Sequence, residues 1–199
     1  MRVVIVSSSP SLSIMHNDNY CIGVDHWCLE LMKNNIKIDL AIGDFDFLSE
    51  EEIASIKDYA KEFIKLNAIK NETDTLSAVK IALQMSEDIL IVGGIKGPRI
   101  EHFLVNLKLV SKYNIKMIDD NSLIYKLETG NHMFYNDEYK YISFFTDSNA
   151  ELTLEGFKYP LTKYNLTKED TLCISNEVLS KGKLTLKGEV IVIKSKSDE

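Results

Sequence analysis

With 199 residues, 45% of them hydrophobic, the chain can form one large domain or two small ones and is too apolar for a disordered polymer. Its net charge of −7 comes with no basic block, which argues against a general nucleic-acid binder. The three cysteines, Cys21, Cys28 and Cys173, fit neither a zinc spacing nor a paired disulfide framework. The opening MRVVIVSSSP lacks a signal-peptide core and no later run approaches a membrane span, so the expected setting is reducing and cytoplasmic.

Strands and helices alternate through the first part of the chain. RVVIV and YCIGV read as short strands, and HWCLELMKNN carries apolar residues at loosely helical spacing. IDLAIGD is a third strand. In SEEEIASIKDYA, Ser49 can cap a helix and the glutamates favour its positive end. EFIKL is strand-like. TDTLSAVKIALQM is an amphipathic helix with Thr73 as N-cap. DILIVGG is a near-continuous apolar strand, as a sheet covered on both faces requires. RIEHFLVNLKLVSKY is another helix and IKMID closes the series. The rhythm predicts a doubly wound, mostly parallel α/β sheet.

The pattern then changes. YKYISFFT, AELTLEGFKYPLT, TLCISNEVL and GKLTLKGEVIVIKS are β-rich, and Gly182 and Gly188 fit turns or bulges. The expectation is a small all-β sandwich domain over 126–199, following an α/β domain over 1–125. A sheet so small is marginal alone and should pack on other protein.

Ligands of an open α/β sheet bind beyond the carboxyl ends of its strands. Four stretches fall at such ends: VDHW with Asp25; GDFDF with Asp44 and Asp46; KNETDT with Lys70, Thr73 and Asp74; and GGIKGPRIEH with Gly94, Gly97, Arg99, Glu101 and His102. Paired carboxylates repel an anion unless a cation stands between them. Carboxylates holding Mg²⁺ beside glycine-loop amides and a guanidinium attract a polyphosphate. Asp44 and Asp46 therefore read as a magnesium pair, with Asp74 as a candidate third ligand and Gly43 turning the backbone out of the strand. Each stretch also has a plainer reading. D-x-D after a strand is often a turn, TD before a helix is often only a cap, and GGIKG lacks the Walker ending.

Taken in order, VDHW, GDFDF, KNETDTL and GPRIEHFLVN resemble the motifs of thiamine pyrophosphokinases. In the second half, LTLEGFKYPL and ISNE are similar to that family's thiamine-side segments, and DDNSLIYKLETG to its interdomain connection. The resemblance implies an enzyme that transfers the pyrophosphoryl group of ATP to the thiamine hydroxyl, releasing AMP. It implies Mg²⁺, and a homodimer with active sites at the subunit interface. Carried over by position, Asp44, Asp46 and Asp74 hold metal and nucleotide phosphates and are catalytic together with Arg99. Asp25, Lys70, Thr73, Gly94, Gly97, Arg99, Glu101 and His102 bind ATP; Tyr159, Ser175 and Asn176 bind thiamine. The chain departs from the pattern at Phe47, Leu76, Pro98 and Glu101, and at His26 and Trp27 after Asp25. Two alternatives follow from those departures: a pyrophosphokinase for another alcohol, or a non-catalytic nucleotide- or thiamine-binding homologue.

Overall fold

The structure, a computed structural model, describes residues 1–8, 15, 18–69, 71–97 and 99–197. The chain divides into two compact units, Met1–Asp119 and Asp120–Glu199.

The first unit is built on parallel strands β1 (Val3–Val6), β2 (Tyr20–Val24), β3 (Leu40–Gly43), β4 (Glu62–Lys65), β5 (Ile89–Val92) and β6 (Lys116–Ile118), lying side by side in the order β6-β5-β1-β2-β3-β4. β1 is central, and Val3 to Val6 are wholly buried, because layers cover both faces. The helices are α1 (Trp27–Lys33), α2 (Glu50–Tyr59), α3 (Asp74–Leu83) and α4 (Ile100–Tyr113). α1 and α2 supply Cys28, Leu31 and Ile56 to one core with Val4, Val6, Cys21, Ala41 and Phe45. α3 buries Ala78, Val79 and Ala82 and packs against β1, β2, β3 and β5.

The predicted caps form. Ser49 Oγ accepts from Glu52 N at 3.2 Å and Glu52 Oε2 accepts from Ser49 N at 2.8 Å, a reciprocal capping box. α4 ends at Asn114 in the left-handed region, a conformation asparagine tolerates. Among the described residues no helix is long and apolar enough to cross a membrane.

One buried charge ties the edge of this sheet together. Asp39 is 3% exposed; it accepts from Cys21 N at 3.1 Å and meets Lys37 Nζ at 2.7 Å and Lys61 Nζ at 3.0 Å. Burial pushes its carboxyl up, but the lysines and the Cys21 amide outweigh that and hold it below the usual range. A depressed folded pKa stabilises above the unfolded value, and the benefit disappears as pH falls through the folded one. Asp39→Asn should therefore lower stability by about 1.5–3 kcal/mol, the range for hydrogen bonds to a charged group. It should also flatten the acid limb of the stability–pH curve, measured as urea midpoints. A variant with an unchanged midpoint at neutral pH would remove Asp39 from the stability account.

The second unit is antiparallel: β7 (Ser122–Tyr135), β8 (Tyr141–Phe145), β9 (Asn149–Phe157), β10 (Leu161–Thr167) and β11 (Val178–Ser195). The layers of the expected sandwich are arms of one hydrogen-bonded sheet. β11 pairs with β7 along most of its length, then with β9 over its first half and β8 over its second. The change of partner falls at Gly188, where the register with β7 shifts between Leu186 and Glu189, so this glycine is a bulge. Phe134, Phe144, Phe157, Leu152, Leu154, Leu184 and Val192 fill one core.

Two sequence expectations change here. DDNSLIYKLETG is mostly strand rather than connection: β7 starts at Ser122 and runs through Gly130. Of its residues only Ile124 and Phe134 are buried, so the alternation that marks a strand is weak. Gly182 lies inside β11, where the register with β9 shifts between Val178 and Lys183, which fits the expected bulge rather than a turn. TLCISNE is not a strand; Asn176 alone forms an isolated bridge, with Ile142.

Candidate active site

The first unit carries a cleft of about 650 Å³ at the carboxyl ends of its strands, a volume typical of small-molecule sites. Ser7 and Ser8 follow β1, Asp25 to Trp27 follow β2, Asp44 to Phe47 follow β3, and Glu72 to Thr75 open α3. Gly94 to Gly97, with Arg99, join β5 to α4. The adjacent strands β1 and β5 diverge in their connections, so this is the switch point of the sheet.

Local packing explains the doublet of aspartates. Phe45 sits between them with φ +57°, is 1% exposed and stacks on Phe63 at 4.9 Å between ring centroids. The apolar ring anchors the turn in the core while Asp44 and Asp46 line the cleft. Asp44 Oδ1 accepts from Asp46 N at 3.3 Å. Gly43 serves a different purpose from the one expected. Its φ is not positive; a Cβ there would lie 2.9 Å from Asp25 Cα, so glycine admits the loop after β2. Asp25 N in turn donates to Ile42 O at 2.9 Å.

The glycine loop is held just as closely. Gly94 has φ +78°, and a Cβ there would meet Asn106 Nδ2 at 2.4 Å. Asn106 is buried and lines the cleft from α4. Arg99 stands at the N-cap position of α4, where its Nε donates to Glu101 Oε1 at 2.9 Å. The Arg99 guanidinium draws the Glu101 carboxyl below its ordinary range.

Of the residues singled out in the sequence, Asp25, Asp44, Asp46, Thr73, Asp74, Gly94, Gly97, Arg99 and His102 share this cleft. Lys70 and Pro98 lie outside the described residues. Glu101 does not line the cleft; its contact is with Arg99. Thr73 also caps α3, its Oγ1 accepting from Leu76 N at 3.2 Å. Sequence reasoning missed Ser7, Glu72, Lys96 and Asn106. The Ser7 hydroxyl is buried with no hydrogen-bond partner among the described residues, and Glu72 accepts from Ser77 Oγ at 2.9 Å and pairs with Lys80. Their signal lay in position: Ser7 ends an apolar strand, and Asn106 is a polar residue in the buried stripe of a helix.

Among the described residues the acidic lining comprises Asp25, Asp44, Asp46, Glu72 and Asp74, against Lys96 and Arg99 as permanent cations. The predicted metal ligands share the cleft but are not gathered into a ready-made centre. Among the described residues no three His, Cys, Asp or Glu side chains are grouped to hold a metal.

In the second unit, the Asn176 side chain is committed to the backbone. Its Oδ1 accepts from Tyr159 N at 3.0 Å and Glu177 N at 2.9 Å, while its Nδ2 donates to Tyr159 O at 2.8 Å. Asn176 is thus a clamp on the backbone of Tyr159, a residue 57% exposed. Ser175 is exposed with φ +53°, and its N–H donates to Ser143 Oγ at 2.9 Å.

Residues 12–119 match the family of the thiamin pyrophosphokinase catalytic domain, and residues 131–191 that of the thiamin pyrophosphokinase vitamin B1 binding domain. The chain is 39% identical over 184 residues to a thiamine pyrophosphokinase of Bacillus subtilis, covering 87% of this chain and 86% of the relative. A crystal structure of thiamine pyrophosphokinase from Bacillus subtilis superposes with a TM-score of 0.87 at 34% identity, covering 99% of this chain and 100% of that one. A thiamin pyrophosphokinase family protein from Enterococcus faecalis gives 0.88 at 29% identity, with all of both chains covered. The enzyme from Candida albicans, at 12% identity and a TM-score of 0.82, covers 98% of this chain and 89% of that one and shares the fold.

Proposed function

The chain belongs to the thiamine pyrophosphokinase family, and from that premise we propose that its cleft transfers the pyrophosphoryl group of ATP to the hydroxyl of thiamine. The observation that carries this reading is the convergence of Asp44, Asp46, Asp74 and Arg99 on one cleft at the sheet's switch point.

The hydroxyl oxygen of thiamine bonds to the β-phosphorus of ATP as the bond from that phosphorus to the bridging α–β oxygen breaks. AMP leaves with the electron pair, and the hydroxyl proton passes to a carboxylate of the cleft. Arg99, steadied by Glu101, faces the phosphoryl oxygens where charge accumulates. Gly94 and Gly97 bring the loop backbone close enough for amide contacts to phosphate.

The residues fit Mg²⁺. Among the described residues the lining sets five carboxylates against Lys96 and Arg99, which favours a polyphosphate that enters with a cation of its own, and every acidic donor is a hard oxygen. Asp44 and Asp46 would hold it, with Asp74 beside them. When bound it neutralises phosphate charge. A homodimer with sites at the subunit interface, acting in the cytoplasm, completes the proposal.

Protein, ATP, Mg²⁺ and thiamine are incubated together and the products separated. Thiamine diphosphate and AMP in equal amounts are expected. Thiamine monophosphate with ADP, or no thiamine product, overturns the reading.

On the acceptor side, Tyr159 offers an exposed aromatic face fixed by Asn176. Tyr159→Ala should weaken thiamine binding by about 1 kcal/mol or more, the worth of an aromatic contact to a cationic ring. ATP binding should stay unchanged when each ligand is titrated separately. Loss of ATP affinity with thiamine affinity intact would move Tyr159 out of the acceptor site.

A further inference from the structure

The cleft has an aromatic wall that phosphate chemistry does not use. His26 and Trp27 face each other at 4.4 Å between ring centroids with a tilt of 43°, and both line the cleft. Trp27 is half-buried and backed by the core of α1, α2 and the sheet, so its indole is a fixed platform. Phe47 lines the same cleft and is 87% exposed. A phenylalanine left so open to water, in the same cleft as a rigid indole, gains from a flat occupant that covers it. At the foot of this wall Asp25 Oδ1 is buried without a hydrogen-bond partner among the described residues, while its Oδ2 lies 3.5 Å from His26 Nδ1. A carboxylate oxygen in that state is an acceptor awaiting a donor.

We propose that His26, Trp27 and Phe47 form a stacking subsite for a planar, amine-bearing heteroaromatic ring of a substrate, with Asp25 accepting from its amine. The inference rests on the proposed reaction, whose substrates both carry such a ring: the purine of the donor and the aminopyrimidine of the acceptor. The wall is part of the first unit alone, so it is present before any partner surface contributes. Stacking tolerates ring identity while fixing ring plane, which orients a ligand otherwise held only by its phosphates.

The chain has a single tryptophan, Trp27, so its emission reports this wall directly. Wild-type protein is titrated with AMP, with thiamine and with inorganic tripolyphosphate, each with Mg²⁺. A saturable change in Trp27 emission with AMP assigns the wall to the donor, and with thiamine to the acceptor; either supports the proposal. Phe47→Ala, which removes no core contact, should raise the Kd of the responding ligand about tenfold, the scale of one lost ring stack. No response to AMP or thiamine overturns the proposal, as does an equal response to tripolyphosphate. An unaltered Kd in Phe47→Ala also overturns it. Turnover is measured in parallel on the wild type. Product formation without an emission change defeats the wall alone, and an emission change without product defeats the proposed reaction while leaving the wall in place.

Discussion

Asp44→Asn is expected to fold normally and to lose turnover by roughly a thousandfold, the upper range for one lost electrostatic stabiliser in a closed site. The substitution keeps the Oδ1 that accepts from Asp46 N, so the turn after β3 survives. Phe45 remains anchored on Phe63, and the fold should be intact. Only the negative charge is removed, and that charge is what a metal-bound polyphosphate would engage. The check is kcat with saturating ATP and thiamine, over a range of Mg²⁺ concentrations, beside a urea midpoint. Near-normal kcat in a protein of unchanged midpoint would take Asp44 out of the reaction centre.

Arg99→Lys should lower kcat on the order of a hundredfold. Glu101 engages Nε, which leaves the two terminal nitrogens of the fork for phosphoryl oxygens. Lysine keeps the charge but loses the planar, two-pronged geometry and its alignment by Glu101. The companion variant Glu101→Gln, which weakens the alignment without touching the guanidinium, should show a smaller loss in the same direction. Unchanged kcat in Arg99→Lys would show that charge alone suffices, or that Arg99 stands aside from the chemistry.

The site was legible in part because its parts are tied to elements that announce themselves. Asp44 and Asp46 follow an apolar run, and Thr73 and Asp74 open an amphipathic helix. A parallel sheet necessarily delivers such positions to one rim. Ser7 and Asn106 were not singled out because their signals are weak: one follows an apolar strand, the other closes GPRIEHFLVN. A serine after a strand and an asparagine within a helix are common, and only the meeting of β1 with β5 and α4 makes them part of a cleft. Asn176 shows the opposite case. Its type and position suggest a ligand contact, and the structure adds a second task, holding the backbone of Tyr159 and Glu177.

What the sequence determined by itself was the α/β order of the first half, the capping of α2 and α3, and the inventory of carboxylates, glycines and arginine at strand ends. These are local matters, set by apolar periodicity and by which residues can cap or turn a chain. Tertiary structure decided the rest. It drew β7 out of a stretch that reads as a connection, because a strand with few buried residues is defined by its partner, β11. It gave Gly43 its purpose, close approach to Asp25 rather than a turn, since only a neighbouring loop can make a missing Cβ necessary. It set Phe45 in the core between two aspartates that line the cleft, and brought Trp27 and Phe47 to that same cleft, because hydrogen bonding of β2 beside β3 brings together residues that the chain keeps apart.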